Sequence, residues 1–152
     1  MAHSPEVTEL LADAHAETER LVTAYEATHD PERRAALAEA LSTGTRRRAL
    51  AQERELDPVL RRVLPEGDRI AAEAARRRSA TYATVRRLCG LTPGSPSADR
   101  EIAAVLDAVR AAARTDEEEV FAPLRARLGH RARRELGTAV ERAVTCDGAR
   151  GV

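Results

Sequence analysis

Apolar side chains recur at steps of three and four residues along most of this 152-residue chain. This spacing places them on one face of an α-helix. In the first such segment, Val7, Leu11, Ala14, Leu21 and Tyr25 would share a face. Turn residues divide the pattern into segments, and we predict five helices from them.

Proline, glycine and capping residues set the predicted helix ends. Ser4 would cap the first helix, with Pro5 in its first turn. Pro58 would kink the second helix near its end, and Asp68 would cap the third. The Gly/Pro/Ser-rich stretch 90–97 would be the longest loop.

Long helices joined by short turns predict an all-α fold, an up-down-up-down four-helix bundle with a short fifth helix. The chain length suits a single domain. Its core would span about 4–129. Residues 130–152 would form a short C-terminal helix, over about 131–144, and a loose tail from Cys146.

Composition excludes several classes of partner. The formal net charge is +0, which gives no general attraction to nucleic acid. The N-terminus lacks a signal-peptide pattern, no segment has the length of a membrane span, and neither Cys89 nor Cys146 belongs to a C-x-x-C pair. We therefore expect a cytoplasmic protein that binds neither nucleic acid nor membrane.

Every basic residue other than histidine is arginine, so no lysine Schiff base is available.

Polar residues interrupt the predicted interior near the middle of each long helix. His15 lies on the first helix, Arg48 and Gln52 lie four residues apart on the second, and Arg78 and Asp116 lie on the third and fourth. The second and fourth helices also share a weak likeness, because 53–58 and 118–123 both end a charged stretch in proline. Metal sites in helical bundles are commonly built from two such facing helices.

These residues resemble the hemerythrin-like (HHE cation-binding) family over roughly residues 4–129. The family's first-helix ligand corresponds to His15, and its interior histidine on the third helix to Arg78. Its His-x3-Glu pairs correspond to Arg48-Ala-Leu-Ala-Gln52 and to Ala112-Ala-Arg-Thr-Asp116, the latter followed by Phe121 and Leu124. An alignment on Pro123 would instead place the second pair at Ala113 and Glu117.

The resemblance implies a di-iron centre that binds oxygen or nitric oxide or senses redox state. Gln52 is a weak neutral donor, and Arg48 and Arg78 are permanent cations that cannot bind a metal. We therefore expect no cofactor. The alternative is non-haem iron held by His15 with Asp116 or Glu117.

Two interpretations of the inward arginines remain open at this stage. Carboxylates such as Asp116, Glu117, Glu53 and Asp57 could pair with them in a structural salt-bridge cluster. A pocket with excess positive charge could instead bind a small anionic molecule. Each arginine also ends a triplet, 46–48 or 76–78, so both could simply extend to solvent.

The predicted function is thus a bundle whose remodelled interior binds a small molecule, catalyses cofactor-free acid/base chemistry or serves as a structural cluster. His15 and Tyr82 would supply the titratable groups for catalysis. The alternatives are an iron protein that responds to oxygen, nitric oxide or redox state, and a helical protein-interaction module. Enzymatic activity, ligand identity and oligomeric state stay open.

Overall fold

The computed structural model describes residues 5–149, with side chains as far as residue 146. This part of the chain is helical and contains no strand, so the all-α prediction is confirmed. The helices are α1 Val7–Ala27, α2 Pro31–Ala51, α3 Asp57–Val63, α4 Gly67–Cys89, α5 Pro96–Asp116, α6 Ala122–Arg127 and α7 His130–Ala149. None of them is long and apolar enough to cross a membrane.

The first helix begins later than the sequence suggested. Glu6 is its N-cap, and its carboxylate accepts hydrogen bonds from the backbone amides of Thr8 and Glu9. Arg133 of α7 donates to the same carboxylate at 3.0 Å. The prediction that Pro5 starts the helix was therefore wrong, because the Glu6 side chain satisfies the first free amides. The predicted cap Ser4 lies outside the described residues.

The start of α4 depends on a glycine rather than on a capping side chain. The helix begins at Gly67, so Asp68 lies in its first turn and is not the cap. A Cβ atom at Gly67 would lie 2.1 Å from the carbonyl oxygen of Leu60. Only glycine lets the start of α4 approach the backbone of α3 this closely.

The C-terminal helix is longer than predicted. It continues to Ala149, so the prediction of a loose tail was wrong for residues 146–149, which are helical. Leu136, Val140 and Ala143 are buried and fix the helix to the rest of the fold. Thr145 lies within this helix, past the predicted end, and its side-chain hydroxyl donates to the backbone carbonyl of Glu141 one turn earlier.

Two π-helical turns interrupt long helices at matching places. Gln52–Leu56 joins α2 to α3, and Glu117–Phe121 joins α5 to α6. Each is followed within two residues by a proline, Pro58 or Pro123, which lies in the first turn of the next helix. The likeness between 53–58 and 118–123 thus includes a π-helical turn in each segment. At Pro58, where the sequence predicted only a proline kink, the helix widens into this turn just before the proline.

Buried apolar residues form two separate clusters. One includes Val7, Leu60, Ala71, Phe121 and Leu124. The other includes Val22, Leu41, Val85, Ile102 and Val105. The early residues of α1 and α4 lie in the first cluster and their late residues in the second. α2 and α5 run the other way: their early residues lie in the second cluster, and the first contains Ala51 at the end of α2 and the residues that follow α5. A polar region separates the clusters on all four helices.

Candidate functional site

A cavity of about 70 Å³ lies between the two apolar clusters, and we call it the inner pocket. α1, α2, α4, α5 and the first residue of the first π-helical turn form its walls. The apolar part of the wall includes Leu11, Ala14, Ala74 and Val109. The ionisable and amide side chains in the wall are His15, Arg48, Gln52, Arg77, Arg78 and Asp116.

Asp116 joins three helices through its two carboxylate oxygens. His15 Nε2 lies 2.9 Å from Oδ2, and Arg77 Nη2 donates to Oδ1 at 2.9 Å. An ionised carboxylate can only accept, so this ring nitrogen of His15 carries a proton. Burial raises the pKa of Asp116, but the hydrogen bonds and charges of His15 and Arg77 outweigh it and hold the pKa below its ordinary value.

Arg78, in the wall of the inner pocket, forms a second ion pair. Its Nη2 donates to Oδ2 of Asp57, whose side chain is only 1% exposed, and its Nη1 donates to Gln52 Oε1 at 3.4 Å. Burial raises the pKa of Asp57 more than the charge of Arg78 lowers it. Within the described residues, Asp57 Oδ1 is buried without a hydrogen-bond partner. This pair links α4 to the start of α3.

Arg48 differs from the other two arginines of the inner pocket. Its Nη2 donates to the hydroxyl of Thr18 at 2.8 Å, and within the described residues this is the one polar contact that its guanidinium makes. Burial lowers the pKa of Arg48, and the negative charge of Glu17 only partly offsets this effect. Arg48 is therefore a half-buried cation held by a neutral hydroxyl.

A glycine one helical turn earlier makes room for the Arg48 head. A Cβ atom at Gly44 would lie 3.0 Å from Arg48 Nη1. Glycine in the middle of a helix costs roughly 0.5–1 kcal/mol relative to alanine. Here, its missing side chain leaves space for the guanidinium to fold along α2 toward Thr18.

The inner pocket carries an excess of positive charge. Arg48, Arg77 and Arg78 supply three guanidiniums, whereas Asp116 in the wall and Asp57 behind Arg78 supply two carboxylates. The sum is one formal positive charge when His15 contributes none. Arg77 and Arg78 account for the two carboxylates, so the excess is located at Arg48.

The structure brings most of the sequence-predicted site residues into this one pocket. His15, Arg48, Gln52, Arg78 and Asp116 all line it. The side chains of Arg48 and Arg78 are partly buried, so neither simply extends into solvent.

Two predicted site residues, Glu117 and Tyr82, and one predicted partner of the arginines, Glu53, do not line the inner pocket. Glu117 is exposed and pairs with Arg125, since it is the next residue around the helix from Asp116. Thr81, and not the half-buried Tyr82, occupies the wall position one turn beyond Arg77 and Arg78. Glu53 is exposed and does not line the pocket.

The sequence interpretation missed Arg77. Successive helical residues are about 100° apart, so one stripe position was assigned to Arg78 alone. A long side chain on the flank of a helix can still reach the interior, and Arg77 does so to bind Asp116. The triplet 76–78 was the available signal, since two of its members could flank the same face.

The donor set does not fit the di-iron centre that the resemblance implies. The wall contains one imidazole and one carboxylate, and both oxygens of that carboxylate already bind His15 and Arg77. Within the described residues, no three His, Cys, Asp or Glu side chains come together as a metal ion would require. A di-iron centre in a helical bundle needs several such ligands.

The arrangement can therefore position and neutralise an anion beside Arg48, in a pocket whose wall also contains His15 bound to the Asp116 carboxylate. Comparisons with known proteins found no matching family model, curated protein or solved structure.

Proposed function

We propose that this protein is a hemerythrin-like four-helix bundle that binds a small anion in its inner pocket, through the guanidinium of Arg48. The observation that carries the proposal is the contact of Arg48 with a single neutral hydroxyl, Thr18 Oγ1. The alternation of α1, α2, α4 and α5 between the two apolar clusters supports the up-down-up-down arrangement.

The energetics of a desolvated cation support an anionic ligand. Removing a charge from water is costly unless another charge compensates it. Arg77 and Arg78 have carboxylate partners, whereas Arg48 has only the weak compensation of Glu17 at longer range. Arginine has five N–H donors arranged to hold two oxygens of one carboxylate or phosphate, and one of the five is used by Thr18.

The size of the inner pocket limits the group that can enter. A single water needs roughly 10–15 Å³ of such volume, so the cavity of about 70 Å³ accommodates a group of a few non-hydrogen atoms. Formate and acetate are of this size. Apolar wall residues such as Leu11 and Val109 favour an anion that also has an apolar part, such as the methyl group of acetate.

A structural role is the second candidate, and a specific observation favours it. The Arg78–Asp57 pair links α4 to α3, and Asp116 links α1, α4 and α5 through His15 and Arg77. These pairs explain the conformations of all the charged wall residues except Arg48. The two roles can coexist, with the paired residues holding the wall and Arg48 holding the ligand.

Calorimetric titration of the purified protein with acetate tests the proposal. The wild-type protein should bind one acetate per chain, and Arg48→Met should weaken binding at least about tenfold, as expected for loss of charge-assisted hydrogen bonds. Arg46→Met is the matched control, because Arg46 is exposed on the same helix and should bind acetate like the wild type. Equal binding by wild type and Arg48→Met, or no binding by the wild type, would remove the proposal.

A further inference from the structure

A second cavity of about 170 Å³ lies beside the inner pocket, and we call it the outer cavity. It is formed by α1, α2, the first π-helical turn and α7. Its wall is mainly apolar, with Leu10, Leu11, Ala14, Val140 and Val144. Glu141 and Thr145 are exposed, and they form its polar edge at the protein surface.

The two cavities share part of their walls. Leu11, Ala14, Arg48 and Gln52 line both of them. Thr18, the hydrogen-bond partner of Arg48, lines only the inner pocket. Arg48 therefore stands where the apolar outer cavity meets the polar inner pocket, with its guanidinium on the inner side.

We infer that the ligand is a monocarboxylate with an unbranched apolar tail, whose carboxylate binds Arg48 and whose tail occupies the outer cavity. This inference rests on the proposed function, because it assigns a chemical class to the anion at Arg48. A sulfate or phosphate ion could meet the guanidinium but would leave the apolar walls of the outer cavity uncovered.

Cavity size and edge charge define the ligand further. An apolar cavity of about 150 Å³ accommodates benzene, so the outer cavity, at about 170 Å³, suits a tail of about five or six carbons. Glu141 at the edge would repel a second carboxylate at the far end of the tail. The structure thus favours hexanoate over the dicarboxylate adipate.

A series of straight-chain acids tests this assignment on the full chain. Calorimetric affinity should rise about threefold to fourfold for each methylene from acetate to hexanoate, because each methylene leaves water for an apolar wall. Hexanoate should bind at least about tenfold more tightly than adipate or 1-hexanol, and Arg48→Met should abolish the difference between hexanoate and 1-hexanol.

Variants of α7 locate the tail. Val144→Phe fills the outer cavity, so the rise of affinity with chain length should disappear. Thr145→Trp at the exposed edge should have the same effect and serves if Val144→Phe does not fold. Arg142→Trp is the matched control, because Arg142 is exposed on α7 and lines neither cavity. It should keep the chain-length dependence.

The outcomes separate this inference from the proposed function. Acetate binding that depends on Arg48 but does not strengthen with chain length would overturn the tail assignment and leave the anion site in place. A chain-length dependence unaffected by both α7 variants, or 1-hexanol binding as tightly as hexanoate, would also overturn the assignment. Failure of every carboxylate to bind would overturn both proposals.

Discussion

The guanidinium of Arg78 donates to the carboxylate of Asp57 at a point where both side chains are largely removed from solvent, 16% and 1% exposed. The pair joins the middle of α4 to the first residue of α3, directly after the first π-helical turn. Arg48, one helical turn before that π-helical turn, has no such carboxylate among the described residues. Two arginines that line one pocket thus differ in their partners, a buried carboxylate for Arg78 and a neutral hydroxyl for Arg48.

Removing Arg78 should destabilise the fold strongly. Arg78→Met would leave the buried Asp57 carboxylate unpaired, and we expect the free energy of unfolding to fall by about 3–5 kcal/mol. Urea denaturation measures this change. The exposed Arg76 provides the control, since Arg76→Met should change stability by less than about 0.5 kcal/mol.

The double variant Arg78→Met/Asp57→Leu distinguishes a lost ion pair from general damage. Replacement of both partners by apolar residues removes the unpaired charge, so most of the lost stability should return. A double variant as unstable as Arg78→Met alone would show that the pair does not account for the loss.

Removing Arg48, unlike removing Arg78, should not destabilise the fold. Arg48→Met takes away a half-buried cation that has only the Thr18 hydroxyl as partner, so the free energy of unfolding should stay unchanged or rise by up to about 2 kcal/mol. Denaturation in buffer without carboxylate measures it, with Arg46→Met as control. A loss of more than about 3 kcal/mol would mean that Arg48 is a structural residue like Arg78.

The Asp116 cluster should make stability depend on acid pH. The pKa of Asp116 is lowered in the folded protein, so its ionised form contributes stability that is fully present above the unfolded pKa of about 3.9. This contribution is lost as the pH falls through the lower folded pKa. The wild type should exceed Asp116→Asn by about 2 kcal/mol near neutral pH, a gap that narrows below about pH 4. A constant gap down to about pH 2 would contradict the assignment.

The contact of α3 with α4 should depend on the absence of a side chain at Gly67. Gly67→Ala would bring a Cβ atom against the Leu60 carbonyl oxygen. We expect this to lower the free energy of unfolding by about 1–3 kcal/mol. Gly129→Ala is the control, because nothing lies within 4 Å of a Cβ atom there. Thermal unfolding of the two variants should differ clearly, and similar melting temperatures would show that the backbone at Gly67 can move aside.

Periodicity, together with the turn residues, was sufficient to predict that the chain is helical and where the long helices lie. The stripe that contains Ile70, Ala74, Val85 and Leu88 is buried in α4 as expected, because helical spacing fixes which side chains face inward. Helix ends were harder to predict, since tertiary contacts decide them. Glu6 caps α1 with help from Arg133, which is 127 residues away in the sequence.

The position of the inner pocket could also be predicted, but its pairing could not. His15, Arg48 and Arg78 were placed inside from spacing and resemblance, and each lines the inner pocket. Which carboxylate meets which arginine depends on side-chain reach across helices, so Asp116 binds Arg77 and leaves Arg48 without it. The outer cavity had no sequence signal, because it depends on how α7 packs against α1.

The most direct test of the anion site is the effect of acetate on the unfolding free energy of wild type and Arg48→Met at constant ionic strength. A ligand that binds only the folded state stabilises it, by about 2.7 kcal/mol at a hundredfold excess over Kd. Acetate should therefore stabilise the wild type and Arg46→Met relative to chloride, and leave Arg48→Met unchanged. Equal stabilisation of all three proteins, or of none, would contradict the assignment of Arg48 as the anion-binding residue.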